Sequence, residues 1–384
     1  NKVIGDHSVG ALIGHESFLR RANFLDGSRS AQILDGNIEL VNFTTTTDLN
    51  SQLDENSIEG YFSRFNYDFK EKYFASFSAR RDGSSRFSKD VRWGNFFSVS
   101  AAWRLDQEAF LAGISQISAL KLRSSYGQNA NESILDDNGD NNYYPYQPLF
   151  GLGWNNATEP GILQESLGNA DLSWETADQF DVAVEFGLFK DRVTGTVEYF
   201  SRASRDLIFN VPLPVSSGVR IVTQNIGRMV NRGVEIELNG KVLNLENGFK
   251  WNLGLNATML KNEITKMPDA TKEIITGTKK YMEGQSRYDF WLREFMGVSP
   301  ETGEAYYRAE NYVPANSIVL ESGDTVTTSL NNARFHYNGS AIPDVSGGIT
   351  NTFSFKGFSL SVLFVYQLGG KVYDATYQGL MGAG

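Results

Sequence analysis

The stretch YFSRFNYDFKEKYFASFSARRDGSSR, residues 61–86, decides how the rest of the chain reads. From Tyr61 onward Phe65, Tyr67 and Phe69 are aromatic, while Arg64, Asn66 and Asp68 sit between them. A period of two places alternate side chains on opposite faces of a strand. Lys70-Glu71-Lys72 interrupts the pattern, which resumes with Tyr73, Ala75, Phe77 and Ala79 on one face and Ser76, Ser78 and Arg80 on the other. The segment reads as a hairpin with one apolar and one polar face. Such an apolar face packs on a second sheet in a sandwich, or touches lipid on the outside of a barrel, and one hairpin does not choose between them.

The theme recurs. Residues 93–105 set Phe97, Val99, Ala101, Trp103 and Leu105 against Ser98, Ser100 and Arg104; Val234, Ile236 and Leu238 alternate with Glu235, Glu237 and Asn239. Trp251, Leu253, Leu255, Ala257 and Met259 form another such face, and Phe358, Leu360, Val362, Phe364 and Tyr366 a last one. A turn or two of helix is expected only around DQEAFLAGISQI. Short turns at 70–72, 190–191, 245–248 and 356–357 alternate with long polar connections near 20–57, 83–92, 128–173, 203–222 and 262–341. If each strand pairs with its neighbour, all short turns fall at one end and all long loops at the other. Outer-membrane barrels sort their connections this way, and a sandwich has no reason to. The connection near 106–118 is intermediate in length and fits least well. The reading that follows is an all-β, antiparallel transmembrane barrel portion, with aromatic residues toward lipid and Arg64, Asn66 and Asp68 toward a wet interior. The competing reading is a soluble, secreted β-rich module that binds glycans and buries its aromatic faces.

Composition narrows the classes. No cysteine is present, which removes disulfide scaffolds, thiolate zinc sites and cysteine nucleophiles. His7, His15 and His336 are too scattered for an imidazole-rich metal centre. A net charge of −10 without a basic cluster argues against nucleic acid. Apolar runs fall short of the roughly 20 residues of a spanning helix, a test to which β-barrels are blind. Nucleophile-elbow, zinc-protease, P-loop and dinucleotide motifs are absent from the sequence, so neither an enzyme nor a cofactor is expected. The chain opens on Asn1 and closes on GLMGAG, and it is expected to continue in both directions.

Several strings carry a family resemblance: RRDGSSRFSKDVRWGNFFSVSAAWRL (80–105), LKLRSSYGQ (120–128), NIGRMVNRGVEIELNG (225–240), GVSPETGEAYY (297–307) and PDVSGGITNTFSFKGFSLSVLFVYQLGGKVYD (343–374). In this order they resemble the C-terminal barrel region of the SusC/RagA-type TonB-dependent outer-membrane transporters of Bacteroidetes. The resemblance implies a 22-stranded barrel, a plug and TonB box outside this stretch, a SusD-like surface lipoprotein as lid, and TonB-driven import of oligosaccharides or peptides across the bacterial outer membrane. It also implies that residues 1–384 are part of a single barrel, in contact with outer-membrane lipid, whose long loops face outward.

Candidate sites are few. Asp136, Asn138 and Asp140 place oxygen ligands at alternate positions, as a calcium loop would, but the following glycine and the distal glutamate are missing, and a solvated loop is the favoured reading, with no metal expected. Tyr143, Tyr144, Tyr146 and Trp154 in the same loop offer flat faces for a ligand or the lid, or pack the loop on itself. Arg64, Arg123, Glu235 and Glu237 are expected to face the lumen, where they tune solute passage or form hydrated wall. RRDGSSRF is either a contact loop or a solvated turn, and Trp291 is expected in a girdle or wall.

Overall fold

A computed structural model describes residues 1–136, 139–157, 159–268 and 271–381. Its organising element is one 12-stranded antiparallel sheet in which each strand pairs with the next along the chain. The strands are β1 (Lys2–Ile4), β2 (His7–Gln32), β3 (Phe43–Phe69), β4 (Tyr73–Ser84), β5 (Trp93–Arg104), β6 (Ile117–Asn131), β7 (Glu175–Leu188), β8 (Val193–Arg205), β9 (Arg228–Asn244), β10 (Lys250–Lys266), β11 (Val345–Phe355) and β12 (Phe358–Leu368). Among the described residues, β1 and β12 are the sheet's two edges. One short helix, α1 (Ala375–Met381), follows the last strand.

The connections sort as the sequence pattern predicts. Residues 5–6, 70–72, 105–116, 189–192, 245–249 and 356–357 close one end; 33–42, 85–92, 132–174, 206–227 and 267–344 leave from the other. The intermediate connection at 105–116 joins the turn end, with a 3-10 turn at Leu105–Gln107 in place of the expected helix. At Lys356-Gly357 both residues take positive φ (47° and 90°), and Phe355 pairs with Phe358 across them. That is the primed two-residue turn whose twist matches the flanking strands.

The apolar face is open. Tyr61, Phe65, Phe77, Phe97 and Val99 are each more than 40% exposed, with no second sheet over them among the described residues. A sandwich would bury these side chains, so the soluble-module reading fails at this face. Two aromatic belts bound it. At the turn end His7, Phe69, Tyr73 and Trp103 lie in one cross-strand row, with ring centroids 4.7, 6.3 and 6.2 Å apart in that order. Toward the loop end His15 and Tyr61 pair across the ladder with ring centroids 4.7 Å apart, and Trp93, one same-face step nearer the loops and two strands over, reaches Tyr61 at 6.3 Å. From Tyr61 to Phe69, at about 3.3 Å per residue, the strand runs about 26 Å. Tilted by about 40°, that is about 20 Å of depth, close to the roughly 25 Å apolar band of outer-membrane barrels.

Residues 20–57, expected as a loop, are mostly strand. β2 and β3, 26 and 27 residues long, stay paired from His7–Phe69 to Gln32–Phe43. They carry a two-stranded arm about 55 Å in strand length beyond His15. Beyond its base, where Asp54 and Asn56 are buried, both of its faces meet water, so its Thr, Asn and Asp residues show no alternation to betray a strand. The longest connection, 267–344, builds two four-stranded sheets of its own, one from Glu273–Thr276, Lys279–Met282, Asp289–Arg293 and Phe335–Ser340. Trp291 belongs there and not to a belt or wall; it meets Tyr337 edge-on at 4.8 Å and lies under the Lys280 ammonium. Where the loops leave the wall, Phe87, Ile134 and Leu172 are almost fully buried together, flanked by Val91, Trp174 and Ile208. This small core ties three connections to one another.

Candidate functional site: the polar wall and its loop-end cavity

Residues paired across an antiparallel ladder share a face, so the register reads out the polar side. One row runs Asp68, Phe74, Ala102, Arg123, Ala183, Glu198, Glu235 and Thr258. Arg64 lies two strand pairs toward the loops from Asp68, opposite Ser78, and Glu237 lies two residues along β9 from Glu235, opposite Thr196. Arg64, Arg123, Glu235 and Glu237 therefore share one face of the sheet. Its middle is an ion network. The Arg123 guanidinium donates to Glu185 Oε1 at 2.8 Å and to Glu198 Oε2 at 2.5 Å, with Asp181 at 3.7 Å. The Lys121 ammonium reaches Glu185 at 3.3 Å. Arg64 donates to Asn66 at 3.3 Å, and Asn239 donates to Glu237 at 3.0 Å.

The polar face is not uniform. Across β4, β5 and β6 it carries small hydroxyl residues: Ser76 pairs with Ser100 and Ser78 with Ser98, both at 2.7 Å between hydroxyls, and Ser125 donates to Asp181 at 2.6 Å. Across β7, β8 and β9 it carries the bulkier Glu185, Glu198, Phe200 and Glu235. The Phe200 ring lies over Gly233 of the next strand, where a Cβ would meet ring carbons at 2.8 Å. At the loop end the serine sector opens into a cavity of about 650 Å³. Arg80 in its wall holds Asp82 at 2.7 Å and also pairs with Glu16. A second cavity of about 450 Å³ lies nearer the turns, and Ser125 borders both.

The loop aromatics divide. Tyr143 is buried beneath the Arg86 guanidinium, 4.6 Å from its ring, and its hydroxyl accepts from Arg20 of the arm. The Tyr144 hydroxyl accepts the Glu55 N–H at 3.1 Å. These two dock the loop on the arm instead of presenting flat faces. Tyr146 is half-buried, its hydroxyl bonded to Gln147 at 2.7 Å, whereas Trp154 stands 59% exposed. Of the calcium triplet, Asn138 lies outside the described residues; the Asp136 carboxylate accepts the Asp140 N–H at 2.9 Å in a local turn. RRDGSSRF is a packed corner: Ser85 and Arg86 engage Asn56, Asn142 and Tyr143.

Glu185 and Glu198, which complete the Arg123 network, escaped the sequence reading although they hold the same alternate positions in β7 and β8 as Glu235 holds in β9. Glu132 of the loop-end cavity has no sequence signal, since it lies off the alternating strands, whereas Arg86 belongs to RRDGSSRF, whose reading as contact loop or solvated turn does not point to the cavity. Beyond the membrane band, burial pushes the Glu175 carboxyl up, opposed by the Ile208 N–H at 3.4 Å. Below the turn-end belt, Glu108 accepts from the Tyr73 hydroxyl at 2.6 Å, Trp103 Nε1 at 2.9 Å and Lys72 at 3.1 Å, and these hold it below the usual carboxylate range.

Comparison with known proteins agrees with this geometry. The chain is 29% identical to TonB-dependent receptor P39 of Formosa agariphila over 88% of its own length and 35% of the relative's. It is also 29% identical to TonB-dependent receptor SusC of Bacteroides thetaiotaomicron, over 83% of this chain and 32% of that one. Among solved structures, the RagAB peptide transporter superposes with a TM-score of 0.83 at 25% identity, over 96% of this chain and 40% of that one. The chain thus spans between about a third and two-fifths of the length of these proteins. A model described as TonB dependent receptor-like, beta-barrel, matches residues 5–373. With its exposed apolar band between aromatic belts, its polar inner face and its sorted ends, the chain belongs to the TonB-dependent receptor-like β-barrel family of the bacterial outer membrane, a family of transporters and receptors and not of enzymes.

Proposed function

We propose that this chain forms wall and outward loops of an importer that carries oligosaccharides or peptides across the outer membrane with energy supplied through TonB. The observation that carries the reading is the continuous polar face, with Arg64, Arg123, Glu235 and Glu237 on it, behind an apolar band of membrane depth. These residues line the lumen, and the wall itself is passive. Force-driven opening belongs to a plug outside this sequence. The loop-end structures, namely the β2–β3 arm and residues 132–174, 206–227 and 267–344, face outward, and Trp154 and Tyr146 meet cargo or a SusD-like surface lipoprotein that closes over the mouth. The similarity to the RagAB peptide transporter supports the peptide class, and the oligosaccharide class rests on the resemblance of the sequence strings to SusC/RagA-type transporters. The test is a pull-down of the intact gene product from native outer membranes in mild detergent, with co-purifying proteins identified by mass spectrometry. A stoichiometric surface lipoprotein is expected; a water-soluble product that brings down none overturns the reading.

A further inference from the structure

On the outer face of the wall the charge is unevenly spread. Along β7, β8, β9 and β10 the apolar band ends on its loop side in one paired row, Val182, Tyr199, Val234 and Met259. The apolar run from Trp251 to Met259 is as long as that from Tyr61 to Phe69, so this row marks the band's edge. One same-face step beyond it Arg232 stands opposite Lys261, and two steps further Arg205 stands opposite Arg228. Like charges directly opposite across a ladder are destabilising, so the sheet itself gains from neither pair. Carboxylates answer them in part: Arg205 donates to Asp178 at 3.0 Å, Arg232 donates to Glu263 at 3.4 Å, and Asp206 follows Arg205. With Lys266 opposite Arg228, five cations stand against three carboxylates, a local positive excess in a chain of net charge −10. Among the described residues, the exposed Arg228 and Lys261 side chains have neither a hydrogen-bond nor an ion-pair partner. At the corresponding edge of β2, β3 and β4 the cations are engaged: Arg21 with Glu55, His15 with Glu59, and Arg81 over the Trp93 ring at 5.3 Å. The lumen does not reach the cluster. On the other face of β10 Asn262 is buried, accepting from the Ser286 hydroxyl and the Arg287 N–H at 2.9 Å each, and Ile264 is buried two residues on.

We propose that this patch of β8, β9 and β10 binds the phosphate of an outer-leaflet lipid headgroup, with Arg228, Arg232 and Lys261 as the contact residues. The inference rests on the import reading, which turns the loop end outward, and it goes beyond general contact with lipid by naming the headgroup chemistry and the sector of wall that selects it. Arginine and lysine at the end of an apolar band lay their stems on it while their charged heads reach the headgroup level, where basic residues draw anionic lipid. A guanidinium beside an ammonium suits a phosphate, the first through its planar fork and the second as a point charge. Four residues of β9, about 13 Å of strand, separate Arg232 from Arg228, so the patch extends from the band's edge into the headgroup layer. A lid over the mouth sits on the loops, whereas these side chains share the face of Tyr199 and Val234 and continue the lipid-facing band.

The experiment uses the full-length protein with its co-purified partners in detergent, titrated with lipid A bearing one phosphate, with the same lipid after removal of that phosphate, and with inorganic phosphate; bound species are counted by native mass spectrometry. The phosphorylated lipid is expected to bind about tenfold or more tightly than the dephosphorylated one, and to weaken as salt rises. Each cation near a lipid surface strengthens attraction about fivefold, so Arg232→Gln together with Lys261→Gln is expected to weaken binding about 25-fold. The charge-keeping exchange Arg232→Lys with Lys261→Arg should stay within about threefold of the parent, as should Lys190→Gln with Lys356→Gln in the turns at the other end, which separates lost charge from lost fold. Equal binding of the two lipids, or a neutralised double variant that binds as the parent does, overturns the site. Displacement of the lipid by an equal concentration of inorganic phosphate overturns the lipid as its source. A double variant that keeps the lipid but loses a co-purifying surface lipoprotein assigns the patch to an acidic protein surface and overturns the proposal as well. The import reading fails separately, if deleting the gene leaves uptake of both sugars and peptides at the parental rate.

Discussion

Replacing Phe87 by alanine tests whether the loops are held by the small core at their base or by the barrel as a whole. Phe87 is fully buried, its ring 5.3 Å from Trp174, and it shares its core with Ile134 and Leu172 from the connection between β6 and β7. Phe-to-Ala changes at such sites cost about 3–5 kcal/mol, a transfer loss plus a cavity. None of the strand ladders uses this ring, so the whole cost falls on the local opening of the loops. At about 1.4 kcal/mol per factor of ten, the open population rises between about a hundredfold and a few thousandfold. Hydrogen exchange of the full-length protein in lipid nanodiscs reads this directly. Amides in 132–135, 169–174 and 206–210 are expected to lose that much protection, while those of β4, β5 and β6 within the membrane band change by less than about twofold. The reasoning is refuted if the loops lose less than about tenfold, or if the strands lose protection in step with them.

Three further outcomes follow from particular contacts. Glu108→Gln removes the charge that Tyr73, Trp103 and Lys72 converge on; since the native carboxyl is held low, its stabilisation is present at neutral pH and lost as pH falls through the folded value, so the variant's thermal midpoint should vary less with pH below about 5 than the parent's. In Gly347→Ala the new Cβ would lie 2.0 Å from the Asn256 carbonyl oxygen, and because backbone must yield, a loss of about 1–3 kcal/mol is expected in urea unfolding from lipid; an unchanged midpoint would show that the ladder slides freely there. Burial would raise Glu294, but hydrogen bonds from Arg308 and Arg334 outweigh it and hold the carboxyl low; acidification from about pH 6 to about pH 3 should open the sheets of 267–344 to protease before the barrel strands loosen, and Glu294→Gln should blunt that dependence.

Much of the wall could be read from period-two alternation, because a sheet with lipid on one side and water on the other must alternate. Phe65, Phe77 and Val99 on one face and Ser76, Ser78 and Ser98 on the other stand where the pattern puts them. The arm at 20–57 was illegible for the converse reason: with water on both sides, strand pairing leaves no hydrophobic trace. Tyr143 shows a second limit. A loop aromatic looks the same in sequence whether it waits for a ligand or sits under Arg86, and only the approach of a distant corner, residues 80–87, decides. The ion network around Arg123 shows a third, since its partners come from separate strands whose neighbour relations alternation alone does not align.

The strictly sequential pairing of the sheet bears on how such a chain is built. Every strand finds its partner next door, so each hairpin can close without waiting for a remote segment, and loop-closure entropy stays small at each step. The junction between β10 and β11 is the exception, because everything from Met267 to Asp344 must be set aside before Val345 can zip onto β10. That interval carries its own sheets and its own ionic cluster around Glu294, which lets it condense independently and bring its two ends together. The slowest link in an otherwise local assembly is thereby converted into a local one as well.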